Sequence, residues 1–279
     1  MAELQFTRVL VGVDFSPAEN AVLSCLPELK QWGVKTLVLA HMIPVSYPAS
    51  AGYGHESDYL KELEEKAEPL REAGLEVETL VRDSAQPGKD FNALAREICA
   101  DMILVGSRSH NFLHRLFLGS FATEVVHQSS LPVLIERIEK SEQATVETCE
   151  AVCRRNLDKV LLATDLSDQV VEAERTAVAL AGKAGQMDAI TITGDQISTE
   201  QAEAHLNRLK NQLQAEGAQS QVFVETDKPS EAIAAQAQKD YTLIILGKHG
   251  QSWTKEALIG STASRLCEMA QRPVLVVPA

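Results

Sequence analysis

The sequence predicts an α/β protein made of two tandem, doubly wound, parallel five-stranded sheets. The chain has 279 residues, about twice the length of a common domain. Apolar, β-rich segments alternate with helical patterns, which is typical of a parallel sheet covered by helices on both faces. Motifs of the first half also recur in the second half, which indicates a duplicated unit.

The elements of the first half follow from apolar runs and breaker residues. Ser16 and Pro17 suit the cap and the first position of a helix with an apolar stripe through Val22 and Leu29. Residues 44–56 are rich in Pro, Ser, Gly and Tyr, which predicts a long loop. The predicted strands are 8–13, 36–43, 75–81, 101–105 and 132–138, and the later helices are 57–73, 88–99 and 120–128.

The second half repeats this order of elements. Its strands are predicted near 158–163, 189–193, 220–225, 242–246 and 273–277, with a helix over 199–215. The segment before it is charged and polar without apolar periodicity, which predicts a linker. We therefore expect a first domain at 1–140, a linker at 141–156 and a second domain at 157–279.

Two glycine-rich strings define the repeat. Gly106-Ser107-Arg108-Ser109 is followed by nine residues and then Gly119-Ser120, and Gly247-Lys248-His249-Gly250 is followed by nine residues and then Gly260-Ser261. Each string of the second half lies 141 positions after its counterpart. Asp14 and Asp165, which end the first strand of each half, lie 151 positions apart. The second half is therefore ten residues shorter between its Asp and its first Gly.

Composition excludes several classes of protein. The net charge of −13 disfavours general nucleic-acid binding, because the phosphate backbone requires a basic surface. No apolar run is long enough for a transmembrane helix, and residues 1–6 do not resemble a signal peptide. Five cysteines, an odd number without a signal peptide, favour a reduced compartment, so we expect a cytoplasmic protein without a membrane partner.

The repeated strings suit a nucleotide site. Each follows a strand and precedes a helix, at the edge where open α/β sheets bind ligands. Glycine lets a phosphate approach the backbone, and the amides of a helix N-terminus bind anions. An Asp at the end of the first strand could accept hydrogen bonds from ribose hydroxyls. Neither a Walker loop nor the dinucleotide glycine fingerprint follows the first strand of either half.

These residues resemble the universal stress protein family. The resemblance covers almost the whole chain twice and includes Asp14-Phe15-Ser16-Pro17 at the start. It implies a strand order of 3-2-1-4-5 in each domain and an adenine nucleotide, ATP, ADP or AMP, as ligand. It also implies association through the last strands, 132–137 and 273–277, as a pseudo-two-fold pair within the chain, with a homodimer as a further form.

The resemblance assigns nucleotide-binding residues in both halves. The second half matches the phosphate motif in full, whereas Ser109 replaces the second Gly of the first half. On the base side, Met42 offers the first half an apolar wall, whereas the second half has Gly194-Asp195-Gln196. The candidate residues are Asp14, Met42, Gly106, Ser109, Gly119, Ser120, Asp165, Gly247, Gly250, Gly260 and Ser261.

Basic residues beside the two strings could form a phosphate rim, namely Arg108, His110, Lys248 and His249. We expect no metal site in the protein itself, and any Mg²⁺ would arrive with the nucleotide. No catalytic residue is identified, because no group is fixed opposite a γ-phosphate. The sequence therefore predicts a nucleotide-binding protein of stress response or signalling with little or no turnover. The alternatives are a slow ATPase and a nucleotide-free interaction scaffold.

Overall fold

A computed structural model of the chain describes residues 6–16, 19–45, 56–107, 118–137, 155–193, 197–251 and 258–279. Its ten strands form one sheet in the order β3-β2-β1-β4-β5-β10-β9-β6-β7-β8. Read from each outer edge to the middle, each half has the order 3-2-1-4-5. The α/β class predicted from the sequence is therefore confirmed.

The first half follows the predicted order of elements. Its strands are β1 (Arg8–Gly12), β2 (Thr36–Pro44), β3 (Glu76–Ser84), β4 (Met102–Ser107) and β5 (Val133–Arg137). Its helices are α1 (Glu19–Cys25), a 3₁₀ helix (Leu26–Trp32), α2 (Glu56–Glu72), α3 (Pro87–Glu97) and α4 (Ser120–Gln128). The sequence predicts one continuous helix where α1 and the 3₁₀ helix lie, and Pro27 explains the break because it lacks an N–H group.

The second half repeats the arrangement. Its strands are β6 (Lys159–Ala163), β7 (Gln186–Ile192), β8 (Val222–Glu225), β9 (Leu243–Gly247) and β10 (Val274–Val277). Its helices are a short 3₁₀ helix (Asp168–Val170), α5 (Val171–Ala181), α6 (Thr199–Ala215), α7 (Pro229–Ala237) and α8 (Ser261–Met269).

Strands within each half are parallel, and the two halves meet through β5 and β10, which are antiparallel. Ile135 pairs with Val274, and Val133 pairs with Val276. Because each of these strands would otherwise expose an edge of unpaired N–H and C=O groups, the pairing satisfies both edges. The resemblance implies two five-stranded sheets that associate through their last strands, and in the structure they form one continuous sheet of ten strands.

The core lies on both faces of this sheet and crosses from one half to the other. One face buries Leu104, Leu134 and Leu275 in a single cluster. The other face buries Ile135 and Val276. Alternate residues of each strand therefore serve opposite cores, as expected for a sheet that is covered on both sides.

The helices are short and lie against the sheet. The two longest, α2 and α6, have 17 residues each, and α6 begins with a capping box between Ser198 and Gln201. In the part of the chain that the structure describes, no helix is long and apolar enough to cross a membrane.

Three cysteines lie within the described residues and differ in their surroundings. Cys267 is a buried free thiol, and burial raises its pKa to about 12. Cys99 is also free but exposed, and it follows α3 in a left-handed conformation with φ of 54°. Cys25 is buried and disulfide-bonded, which differs from the reduced thiols that the sequence suggests.

Candidate functional site

Each half has a cavity at the carboxyl edge of its strands, where the first strand of that half ends. The second-half cavity has a volume of about 540 Å³ and is bounded by the ends of β6, β7, β8 and β9 and the starts of α7 and α8. The first-half cavity holds about 50 Å³ and is lined by described residues that include Gly12, Asp14 and Gly106.

The turn after the first strand of each half has the same geometry. Asp165 Oδ1 accepts hydrogen bonds from the Ser167 amide at 3.1 Å and the Ser167 hydroxyl at 2.7 Å. Leu166 between them has a positive φ of 63°. In the first half, Asp14 Oδ1 accepts a bond from the Ser16 amide at 3.0 Å. These side-chain turns place both aspartates at the mouths of their cavities.

The loop of residues 247–251 packs on Asp165. The Gln251 amide donates to Asp165 Oδ2 at 2.7 Å, and the Gln251 side chain donates to the Asp165 carbonyl at 2.6 Å. A Cβ at Gly250 would lie 2.2 Å from Asp165 Oδ2, so only glycine fits this approach. A Cβ at Gly247 would lie 2.8 Å from Val170 Cγ1. Both glycines therefore allow the loop to close against the turn after β6.

The second glycine string begins α8 and faces the same cavity. Gly260 is the N-cap, and its amide donates to the Lys248 carbonyl at 2.8 Å, which joins the helix start to the loop. No side chain caps α8 within the described residues, and Ser261 and Thr262 line the cavity. The first-turn amides of this helix and its dipole therefore favour an anion at this end.

The opposite end of the second-half cavity is formed by the ends of β7 and β8 and by α7. Ile192 and Ile233 provide apolar surface, while Thr193, Thr226 and Asp227 provide hydroxyl and carboxylate groups. The sequence analysis treats Gly194-Asp195-Gln196 as equivalent in position to Met42 of the first half, but those three residues lie outside the described ranges. The strand register shows a different equivalence.

Because Gly12 pairs with Ala40 and Ala163 pairs with Ile190, Ile192 is the counterpart of Met42. Ile192 therefore provides the second half with an apolar wall, which the comparison with residues 194–196 did not predict. Met42 itself is buried in the core and does not line the first-half cavity.

Among the described residues of the first half, an aromatic side chain occupies the corresponding space. Phe121 occupies the position of Thr262, one residue after the serine that begins the helix. It packs edge-on against Phe91 with ring centroids 5.2 Å apart. A Cβ at Gly12 would lie 3.1 Å from the Phe121 ring. The second half has Ala163 at the position of Gly12, and Ala163 and Thr262 both line its cavity.

The first-half cavity also carries a second carboxylate. Glu19 lines it with only 4% of its surface exposed, accepts a bond from the Phe15 amide and pairs with Lys66 at 2.9 Å. Phe15 in turn stacks on Tyr59 at 5.2 Å and contacts His41 edge-on at 4.7 Å. The Glu19 carboxylate is therefore held by Lys66 and the Phe15 amide at the place where the sequence predicts a phosphate.

The residue that pairs with the first glycine of each string also differs between the two halves. Glu136 pairs in register with Gly106, whereas Val277 pairs with Gly247. The Glu136 carboxyl is buried and accepts a bond from the Asn156 side chain at 2.9 Å. Burial raises the pKa of Glu136 to about 7.

The structure places the predicted rim residues differently. Lys248 and His249 both line the second-half cavity, and the Lys248 ammonium donates to the carbonyls of His127 and Ser129 in the first domain at 2.7 and 2.8 Å. The first domain therefore holds the Lys248 ammonium, and burial lowers its pKa to about 8. Arg108, Ser109 and His110 lie outside the described residues. Within the described ranges, no three His, Cys, Asp or Glu side chains are grouped to hold a metal ion.

Sequence reasoning missed several residues of the second-half cavity. Ile192, Thr193, Thr226 and Asp227 come from strand ends that carry no motif, and Gln251 follows its glycine string by one position. Alignment of the residue after each helix-starting serine would have revealed the exchange of Phe121 for Thr262.

Comparison with known proteins agrees with the repeat. The model of the universal stress protein family matches residues 5–137 and 156–278. A universal stress protein of Mycolicibacterium smegmatis is 25% identical over 96% of both chains. A universal stress protein from Archaeoglobus fulgidus superposes with a TM-score of 0.74 at 24% identity, over 98% of this chain and 99% of that chain.

A functionally unknown protein from Pseudomonas aeruginosa PAO1 superposes with a TM-score of 0.70 at 20% identity, over 99% of this chain and 94% of that chain. The two structural likenesses support the fold, and the two family matches cover both halves of the chain. The chain therefore belongs to the universal stress protein family, as a member with two tandem domains.

Proposed function

We propose that the protein binds an adenine nucleotide, ATP, ADP or AMP, in the second-half cavity and acts in stress response or signalling with little or no turnover. The observation that carries this proposal is the difference in cavity volume, about 540 Å³ against about 50 Å³. Cavities that hold small ligands are usually about 300–1,000 Å³. Of these two cavities, which the described residues line, the larger has the size of a nucleotide site.

The lining residues suit the three parts of a nucleotide. The phosphates would lie at the start of α8, against the amides of Ser261 and Thr262. The base would lie between the apolar surfaces of Ile192 and Ile233. A Mg²⁺ ion would come with the phosphates, since the described residues offer no metal cluster of their own.

Asp165 would bind the sugar and order the loop. A carboxylate has about four acceptor positions. Three of those of Asp165 are used by the Ser167 amide and hydroxyl and by the Gln251 amide, which leaves room for one ribose hydroxyl. A carboxylate held in this way is poorly placed to activate water, and this supports low turnover.

We further propose domains at 1–140 and 157–279 joined by a linker at 141–156, in a cytoplasmic protein. The antiparallel β5–β10 pair supports an association of the two domains within one chain. A homodimer would then require a different surface.

The direct test is the nucleotide content of freshly purified protein, measured by denaturation and chromatography, followed by calorimetric titration with AMP, ADP and ATP. The matched variants are Gly260→Val and Gly119→Val, which lie at equivalent N-caps with nearly the same extended backbone. A Cβ at Gly260 would already lie 3.4 Å from the Lys248 carbonyl, whereas a Cβ at Gly119 meets nothing within 4 Å.

We expect Gly260→Val to lower nucleotide affinity by roughly a hundredfold and Gly119→Val to leave it unchanged. Equal affinities in both variants would refute the proposed site. Wild-type protein that neither carries nor binds nucleotide would favour the scaffold alternative. Phosphate release that is lost in Asp165→Ala would favour the slow ATPase.

A further inference from the structure

The domain boundary is crossed by a buried lysine that belongs to the loop of the second-half cavity. Lys248 is 6% exposed, and its ammonium donates to the carbonyls of His127 and Ser129. These carbonyls lie at the C-terminal end of α4 in the first domain, where helix carbonyls lack intrahelical partners. A cation at this end of a helix is favoured by the helix dipole.

The main chain of the same residue holds the phosphate end of the cavity. The Lys248 amide donates to the Val277 carbonyl at 2.7 Å, and its carbonyl accepts the Gly260 amide at 2.8 Å. Lys248 therefore forms hydrogen bonds to the last strand of its own domain, to the N-cap of α8 and to the first domain. A shift of its side chain would be transmitted through one peptide unit to Gly260.

A second buried cation crosses the boundary in the opposite direction. Arg137 at the end of β5 is 8% exposed and donates to the carbonyls of Leu266 and Cys267 in the last turn of α8. This is the helix whose N-terminus faces the second-half cavity. The first domain therefore contacts the C-terminal end of α8 directly and the loop before it through Lys248.

The first-half loop has a different arrangement. Ser107, the counterpart of Lys248, donates its hydroxyl to the Glu136 carbonyl at 3.0 Å within its own domain. Among the described residues, no bond equivalent to Gly260–Lys248 joins Gly119 to Ser107. In the part of the two loops that the structure describes, the cross-domain support therefore belongs to the second-half loop.

We propose that the first domain holds the phosphate loop of the second domain in its binding geometry through Lys248, so that nucleotide affinity depends on the contact between the domains. Lys248 is a positioning residue in this account and does not touch the ligand through its side chain. The inference rests on the proposed nucleotide site. By linkage, nucleotide bound in the second domain would also stabilise the end of α4 in the first.

The test compares two lysines of the full-length chain that both cross the domain boundary. Lys248→Met removes the ammonium but keeps the unbranched stem. Lys183→Met is the control, because Lys183 donates to the Trp32 carbonyl at 2.8 Å and lies outside the loop. We expect roughly tenfold weaker binding of AMP or ATP in Lys248→Met, partial rescue in Lys248→Arg and no change in Lys183→Met. Equal affinity in all four proteins would overturn the inference.

Hydrogen exchange without ligand keeps this test separate from the proposed function. In Lys248→Met, the amides of residues 247–251 and of Gly260 should exchange faster than in wild type and in Lys183→Met. Unchanged exchange there would overturn the inference whether or not nucleotide binds. A wild-type chain that binds no nucleotide would refute the proposed function, while faster exchange at Gly260 would still support the positioning role.

Discussion

The two domains share a backbone plan but differ in the side chain that follows the helix-starting serine. In the first domain Phe121 packs on Phe91 and against Gly12, and the cavity holds about 50 Å³. In the second domain Thr262 stands at the same place, and the cavity holds about 540 Å³. A large aromatic side chain can occupy a ligand site, so conservation of the fold does not preserve the site.

Both cavities have two carboxylates among their described lining residues, Asp14 and Glu19 in the first half and Asp165 and Asp227 in the second. The strand residue beside the first glycine differs, because the first domain has Glu136 where the second has Val277. A buried carboxyl group next to the glycine string makes the first domain less suited to an anion than the second. The difference teaches that duplication can leave one domain as a support for the other.

The largest expected effect comes from giving the second domain the aromatic residue of the first. Thr262→Phe should fill the cavity at the start of α8, so that AMP and ATP show no binding by calorimetry at millimolar concentration. Thr262→Ser is the control and should bind like wild type. Binding of wild-type strength in Thr262→Phe would contradict the comparison, provided circular dichroism shows an intact fold.

The reverse exchange should affect stability. Phe121→Thr removes the ring that packs on Phe91 and against Gly12. We expect the free energy of unfolding to fall by about 3 kcal/mol, because large-to-small changes lose burial and leave a cavity. Urea unfolding of the full chain measures this, with Phe121→Leu as an intermediate case. A loss below about 0.5 kcal/mol would show that the ring does not fill the space.

A smaller effect is expected from the buried carboxyl of the first domain. The pKa of Glu136 is about 7 in the fold against an ordinary value of 4.5. The folded state therefore binds more protons than the unfolded state between these values. Its contribution to stability is fully present below pH 4.5 and is lost as the pH rises through 7.

Glu136→Gln should remove this pH-dependent loss of stability. Relative to wild type, we expect the free energy of unfolding of the variant to rise by on the order of 2 kcal/mol between pH 5 and pH 8. Urea unfolding at each pH measures this difference. A difference between the two proteins that does not change with pH would contradict the assigned role of burial.

Much of the fold could be predicted from the sequence, because apolar strands and the Gly and Pro residues that end them are local signals. The order of strands and helices and the two glycine strings followed from such patterns. The break at Pro27 was also a local signal, although the apolar stripe through Leu29 concealed it. The pairing of the two last strands came only from the family resemblance, because no local pattern shows how two strand edges meet.

The site was harder to predict from the sequence, because the differences between the two halves depend on strand register and on contacts across the domain boundary. The equivalence of Ile192 and Met42 follows from strand pairing, and spacing from the two aspartates does not show it because the two distances differ by one residue. The basic character of Lys248 predicted a phosphate rim, but its side chain reaches α4 of the other domain. Residue type indicated the charge, and only the tertiary structure indicates its partner.

The central claim is that one of the two domains binds nucleotide. Its most direct test is the number of AMP or ATP molecules bound per chain at saturation, measured by calorimetry on the wild-type protein after bound nucleotide is removed. The account predicts one molecule per chain, lost in Thr262→Phe and retained in Gly119→Val. Two molecules per chain, or one molecule that survives Thr262→Phe, would contradict it.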